Sequence, residues 1–263
     1  MSRAHSPRPR RRDPVPGVLS TEDLHTIQDT FGVDEAQVRR DHVISHCLAA
    51  LTAIDDDHLI FFGGTALSRT RLTDLRLSED IDLITRAPRN STAQEIQDAL
   101  STTLRPLIGA PIFEPALTQT RGSQASVMLV ADVRVQIQLL ASDGYPQWPT
   151  EVVELHQRYA DALPARMRVL ARPAAVAAKL SAWSSRAAPR DLYDLWALAS
   201  RGDVDADAAA LFALHGPFTD AKRISFNLLP SEEDWYAALG HQGRVLVGPD
   251  EAANVVRNTI AGL

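Results

Sequence analysis

One cysteine, two lysines and no long apolar run set the first bounds on this chain. Cys47 alone cannot build an intrachain disulfide framework, which excludes a disulfide-stapled scaffold and fits a reducing compartment. No stretch approaches the roughly 18 apolar residues of a membrane span, so no transmembrane helix and no membrane partner are expected. Positive charge is in deficit, with 27 Lys+Arg against 33 Asp+Glu and a formal net charge of −6. That balance excludes indiscriminate coating of nucleic acid, which needs broad positive potential, but leaves room for a local basic groove. No apolar segment follows Arg10-Arg11-Arg12, so the basic start is not read as a secretory signal and a cytoplasmic location is expected. Lysine is the scarcest charge: only Lys179 and Lys222 are present, so either is conspicuous wherever it falls.

What is there suits a soluble globular protein of one large domain or two modest lobes, with 263 residues, 45% hydrophobic and 23% charged. Residues 1–12 hold five arginines among prolines and no acid, so a disordered basic arm is expected over 1–19. It reads as a solubilising arm, with an RNA-contacting arm as the alternative. Ser20-Thr21-Glu22-Asp23 predicts a helix start, and Asp34 to about Ala53 a second helix. Leu59-Ile60-Phe61-Phe62 predicts a buried strand, followed by a short helix from Thr65 and a strand at Ile81-Asp82-Leu83-Ile84. A helix from Thr92 to about Leu104, capped by Asn90-Ser91, and strands near 125–130 and 133–140 complete an α/β lobe with a mixed sheet over 20–145. Pro146 and Pro149 mark a break, and 146–263 is expected to be a helical lobe.

Asp80 and Asp82 stand two apart on a predicted strand and therefore point to one face. Carboxylates held side by side repel each other unless a cation lies between them, and hard oxygen ligands suit magnesium. Alone, Asp-x-Asp is a weak signal. The upstream Gly63-Gly64 turn strengthens it: a strand, two glycines and a helix start leave backbone N–H groups free at a positive dipole end, where a triphosphate can approach. Gly-Gly pairs are mostly plain turns, but an anion cradle and a metal pair about 17 residues apart are much less often coincidental.

Gly63-Gly64-Thr65-Ala66-Leu67-Ser68-Arg69 followed by Arg76-Leu77-Ser78-Glu79-Asp80-Ile81-Asp82-Leu83 resembles the AbiEii/AbiGii (MenT-like) nucleotidyltransferase toxin family of the DNA polymerase beta-like nucleotidyltransferase superfamily. The segment Lys179-Leu180 … Arg186 … Arg190-Asp191-Leu192-x-Asp194-Leu195 is similar to that family's helical-lobe motif, and Arg40-Asp41-His42 also looks typical. The resemblance runs from about Arg39 to Leu198 and implies transfer of a nucleoside monophosphate from an NTP to a hydroxyl. Some toxins of the family extend the 3′ end of tRNA, so the resemblance implies an RNA acceptor and a cognate antitoxin partner. Within it, Asp80 and Asp82 would hold magnesium, and Gly63, Gly64, Thr65 and Ser68 would bind the triphosphate. Arg69 and Lys179 would offset leaving-group charge, and Lys179 with Asp191 or Asp194 would complete the site.

Arg69 stands where relatives commonly carry lysine, and the two hold phosphate differently. Lys179 and Arg186 share a helical face, and Arg190 lies a turn beyond if the chain bends at Pro189. Arg190-Asp191 and Asp194 also read as structural ion-pair residues near a helix start. A third strand carboxylate, common in the superfamily, is missing: 133–140 offers Gln136 and Gln138, with Asp132 at its edge. Either two carboxylates suffice or an aspartate of the helical lobe substitutes. Ser78 either binds a phosphate oxygen or closes the turn, and its phosphorylation would place negative charge where the NTP must bind. Two rivals remain: a nucleotidyltransferase acting on a small molecule or protein, and a non-catalytic NTP- or RNA-binding regulator.

Overall fold

The computed structural model describes residues 13–54 and 57–263, so the expected behaviour of residues 1–12 lies outside the described residues. Helices α1 (Thr21–Phe31) and α2 (Glu35–Leu51) begin where local chemistry supplies acceptors. Ser20 and Asp34 accept from the backbone N–H groups of Asp23 and Gln37, satisfying donors with no partner inside their helices. Strand β1 (Leu59–Phe62) runs into α3 (Gly63–Thr70), then β2 (Asp80–Thr85) and α4 (Arg89–Leu107) follow. The chain continues through β3 (Ile112–Glu114), β4 (Ser126–Val130), β5 (Val133–Ala141), β6 (Thr150–Leu155) and β7 (Ala165–Leu170). It ends in α5 (Arg172–Arg186), α6 (Pro189–Ser200), α7 (Ala206–His215), α8 (Glu232–Leu239) and α9 (Pro249–Ala261).

The strands form one seven-stranded mixed sheet in the order β3-β4-β5-β2-β1-β7-β6. β2 lies near the centre, antiparallel to β1 and parallel to β5. Its residues alternate between two different surroundings. Ile81 and Leu83 point, fully buried, into a core shared with α2 and α4. Asp80 and Asp82 point to the opposite face, the side on which Ile60, Ile84 and Leu170 pack beneath the helices of the C-terminal lobe. The carboxylates are thus fixed by the apolar residues between them, and Leu83→Ala would cost about 2–5 kcal/mol.

The α/β fold with a mixed sheet and a following helical lobe agrees with the sequence reading, but the lobe boundary does not. β6 and β7 belong to the sheet, so the break at Pro146 and Pro149 is a turn before an edge strand, and the helical segment starts at α5. β7 carries a period-two pattern, with Ala165, Met167 and Val169 buried against Arg166 and Arg168. β6 lacks clean alternation because it is an edge strand with Glu151 and Glu154 in its run. α4 begins three residues earlier than expected, at Arg89 after Pro88, without a side-chain cap. Among the described residues, no helix is long and apolar enough to cross a membrane.

Candidate active site

Phe62 leaves β1 in extended conformation and α3 starts at once on Gly63, whose φ is +80°. No side chain caps this helix, so the first-turn N–H groups of Gly63, Gly64 and Thr65 remain open to an outside acceptor. Gly63 is required by space and by its backbone, and Gly64 is closely surrounded. A Cβ on Gly63 would stand 2.2 Å from Asp82 Oδ2, and one on Gly64 would crowd Arg76 Nη2 and Ser78 Oγ at 3.1 and 3.2 Å. The glycine turn and the carboxylate strand are therefore in direct contact.

Two cavities of about 240 and 200 Å³ share Gly64, Asp82, Gln138, Lys179, Arg186 and Asp191, and so make one cleft. Its polar end is lined by Arg76, Ser78, Asp80, Gln136 and Arg190. Its apolar end runs past Phe62, Leu140, Tyr145 and Leu170, with the Phe62 and Tyr145 rings edge to face.

Asp80 and Asp82 are half-buried, and no described residue donates a hydrogen bond or forms an ion pair with either carboxylate. Burial lifts both above the usual carboxylate range. For Asp82 the repulsion of Asp80 adds to burial and raises it to about 6, against the attraction of Lys179 and Arg186. Buried polar groups normally have partners. Two adjacent carboxylates without donors therefore make a set of free oxygen ligands suited to a hard divalent cation.

The facing wall belongs to α5 and α6. Lys179, 8% exposed, donates to Asp191 Oδ1 at 3.0 Å and pairs with Asp194 Oδ2 at 2.8 Å. Arg186 holds Asp191 through Nε and Nη2 at 2.6 and 2.9 Å. Arg76 holds Asp194 in a two-pronged contact at 2.9 and 2.8 Å. Burial opposes ionisation of Asp191, but Lys179 and Arg186 overcome it and hold the carboxyl down at about 2. Burial likewise works against charge on Asp194, which Arg76 and Lys179 keep below its ordinary value. The chain of opposite charges continues from Arg76 through Gln242 at 2.7 Å to Glu79 at 2.9 Å, which pairs with Arg40.

The structure thus brings Gly63, Gly64, Asp80, Asp82, Ser78, Lys179, Arg190 and Asp191 to one cleft. The expected nucleotide-binding set changes at four positions. Arg69 is fully buried and faces away, its guanidinium bonded to the Asp41 side chain at 2.8 Å and to the His156 carbonyl at 3.1 Å. The spacing that puts Gly63 at the cleft turns residue 69, near the far end of α3, toward α2 instead. Thr65 donates its hydroxyl to the Asp80 carbonyl, and Ser68 donates to Thr65 O at 3.1 Å, so both hydroxyls are spent inside the fold. Asp194 sits behind Lys179, between it and Arg76. Ser78 lines the cleft but is only 5% exposed, which keeps its hydroxyl from a modifying enzyme in this conformation.

Among the described residues no strand supplies a third carboxylate beside the pair: Asp80 and Asp82 lie opposite Gln136 and Gln138. Asp132 is exposed in the β4–β5 turn, four residues or roughly 13 Å along the strand from Gln136. Arg76, Glu79 and Gln242 had no visible role in the sequence, because their partners lie as far as 166 positions away. The signal for Arg76 was its place just ahead of Ser78 and the aspartate pair.

The sequence model of one family, described as nucleotidyl transferase AbiEii toxin of a type IV toxin–antitoxin system, matches residues 46–242. No curated protein matches the chain in sequence. Among solved structures it is similar to MenT4, a nucleotidyltransferase toxin of Mycobacterium tuberculosis H37Rv, with TM-score 0.66 and 22% identity over 86% of this chain and 83% of that one. It is also similar to JHP933 of Helicobacter pylori, with TM-score 0.52 and 14% identity over 87% of this chain and 92% of that one. At such identities these likenesses speak for the fold.

Proposed function

Because this chain belongs to the AbiEii family of nucleotidyltransferase toxins of type IV toxin–antitoxin systems, we propose that it transfers a nucleoside monophosphate from an NTP to a hydroxyl of RNA, the 3′ end of tRNA, and that its cognate antitoxin restrains this reaction. The observation that carries the reading is the pair of half-buried carboxylates without donors, Asp80 and Asp82, set against the open amides of Gly63 and Gly64 and faced by Lys179. Their oxygens fit magnesium, which would stabilise the charge on the attacking and leaving oxygens of an in-line displacement. The α3 amides receive the triphosphate, with Ser78 beside them. Lys179, cationic and desolvated, faces the charge that grows on departing pyrophosphate.

Asp191 takes the positioning role. A carboxyl held at about 2 is too weak a base to draw a proton from a hydroxyl, whereas its contacts fix both Lys179 and Arg186. Arg186, whose side chain is 64% exposed, and Arg190 lie at the mouth, where a polyanionic acceptor would pass. The apolar end around Phe62 and Tyr145 suits a nucleobase.

Each labelled NTP, incubated with the protein, magnesium and total RNA, tests the reading beside parallel protein and small-molecule acceptors. Label is expected in RNA at the size of tRNA, and none with Asp80→Ala. Label in protein or a small molecule overturns the RNA acceptor. No label anywhere, with RNA binding and toxicity intact in Asp80→Ala, overturns catalysis in favour of a binding regulator.

A further inference from the structure

Away from the cleft, three buried side chains converge on one point. His42 and His46 lie four apart on α2, hence on one helical face, and Asp161 comes from the loop between β6 and β7. All three are under 8% exposed. His42 Nε2 and His46 Nε2 are each 3.0 Å from Asp161 Oδ2, and 3.2 Å from each other. None of the three lines the cleft.

Proton counting shows why this triangle is incomplete as a hydrogen-bond cluster. A carboxylate brings no proton, and each Nε2 brings at most one. If both nitrogens donate to Asp161, two N–H groups confront each other at 3.2 Å. If one nitrogen is bare, its lone pair faces the Asp161 oxygen at 3.0 Å. With Asp161 ionised, every arrangement leaves one edge of the triangle repulsive, in a place too buried for water to relieve it, and only a further proton or a cation removes that repulsion. A cation at the centre would turn all three lone pairs inward and satisfy every edge.

We propose that His42, His46 and Asp161 form a structural zinc site. Two imidazole nitrogens and a carboxylate suit zinc, and a tetrahedral ion with bonds of about 2.0–2.1 Å spaces its ligand atoms roughly 3.3 Å apart. The observed separations of 3.0–3.2 Å need to open only by tenths of an ångström. The fourth position falls to water or to the second oxygen of Asp161. Asp161 and His42 are themselves held by their neighbours. The Gly17 N–H donates to Asp161 Oδ2 at 2.9 Å, and the Tyr159 ring stands edge-on to His42.

The ion would tie together two segments far apart in sequence, helix α2 and the β6–β7 loop, and the Gly17 hydrogen bond to Asp161 adds the approach to α1. Asp41, beside His42, holds Arg69 of α3, and Tyr159, two residues before Asp161, donates to Asp41 at 3.1 Å. The site therefore backs the helix that presents the glycine turn, and its role is independent of the magnesium chemistry in the cleft.

The test uses the full chain carrying Asp80→Asn and Asp82→Asn, which removes the cleft pair, after treatment with a chelator. Zinc is expected to bind at one ion per chain and to raise the melting temperature by roughly 5–10 °C at a hundredfold excess over its dissociation constant. Magnesium should leave that melting temperature unchanged. Cobalt(II) should give the intense visible bands of a tetrahedral ion. Adding His46→Gln, or the isosteric Asp161→Asn should the first fail to fold, is expected to abolish zinc binding and the shift. Absence of stoichiometric zinc or of the cobalt bands overturns the proposal. So does retention of one zinc per chain by a folded ligand variant.

Discussion

Replacing Asp82 with asparagine should stabilise the metal-free protein while destroying its activity. Asp82 sits against the Gly63 backbone with no donor, and burial together with Asp80 raises its carboxyl from 3.8 to about 6. A carboxyl raised on folding costs stability wherever it is ionised in the folded state. That cost is complete above about pH 6 and fades as the pH falls toward 3.8. A shift of about two pH units corresponds to about 3 kcal/mol, and residual solvent in the open cleft lowers this to about 1–2 kcal/mol. Asparagine has nearly the same shape and no charge, so it should recover that amount. For a chain of this size the melting temperature should rise by roughly 2–8 °C. Differential scanning calorimetry of chelator-treated protein from pH 5 to 8 measures it. The gain should be largest at pH 7–8 and shrink below pH 6. Saturating magnesium should close or reverse the gap, because the ion stabilises only the chain that keeps both carboxylates. An Asp82→Asn protein melting at or below the unmodified one at pH 8 without metal would refute the reasoning that the pair is electrostatically strained.

Lys179→Ala leaves Asp191 and Asp194 with one cation fewer in a buried site, so urea unfolding should show a loss of about 3–5 kcal/mol together with loss of nucleotidyl transfer. Gly63→Ala forces a Cβ into Asp82 at a positive φ, and transfer assays should find activity gone even where circular dichroism shows a folded chain. Arg69→Ala should act on folding rather than on the NTP: it strands buried Asp41, so the melting temperature should fall while the KM of residual folded enzyme stays unchanged. Asp132→Asn, in an exposed turn, should change neither stability nor rate.

Legibility followed the range of the interaction. Ser20 and Asp34 announced α1 and α2 because a cap is settled within three residues. The Asp80-x-Asp82 spacing gave the shared face of β2 because strand geometry alternates strictly. β7 was readable but short, and β6, at the sheet edge with two glutamates, had no pattern to read. Arg69 shows the opposite failure, since its motif position fitted a phosphate contact while its direction was decided by Asp41, 28 residues earlier. Likewise, His42 was legible only as part of Arg40-Asp41-His42, and Asp161, 119 positions on, gives it a different meaning.

The ladder Arg186–Asp191–Lys179–Asp194–Arg76–Gln242–Glu79, buried through its middle, runs without a break from the mouth of the cleft to the segment just before β2. Separating the helical wall from the sheet wall would have to break the two-pronged Arg76–Asp194 contact and hydrate both groups together. The two walls are therefore linked across the cleft by the same carboxylate that pairs with Lys179. On the proposed reading, the lysine that faces the leaving group is held in place before any nucleotide arrives.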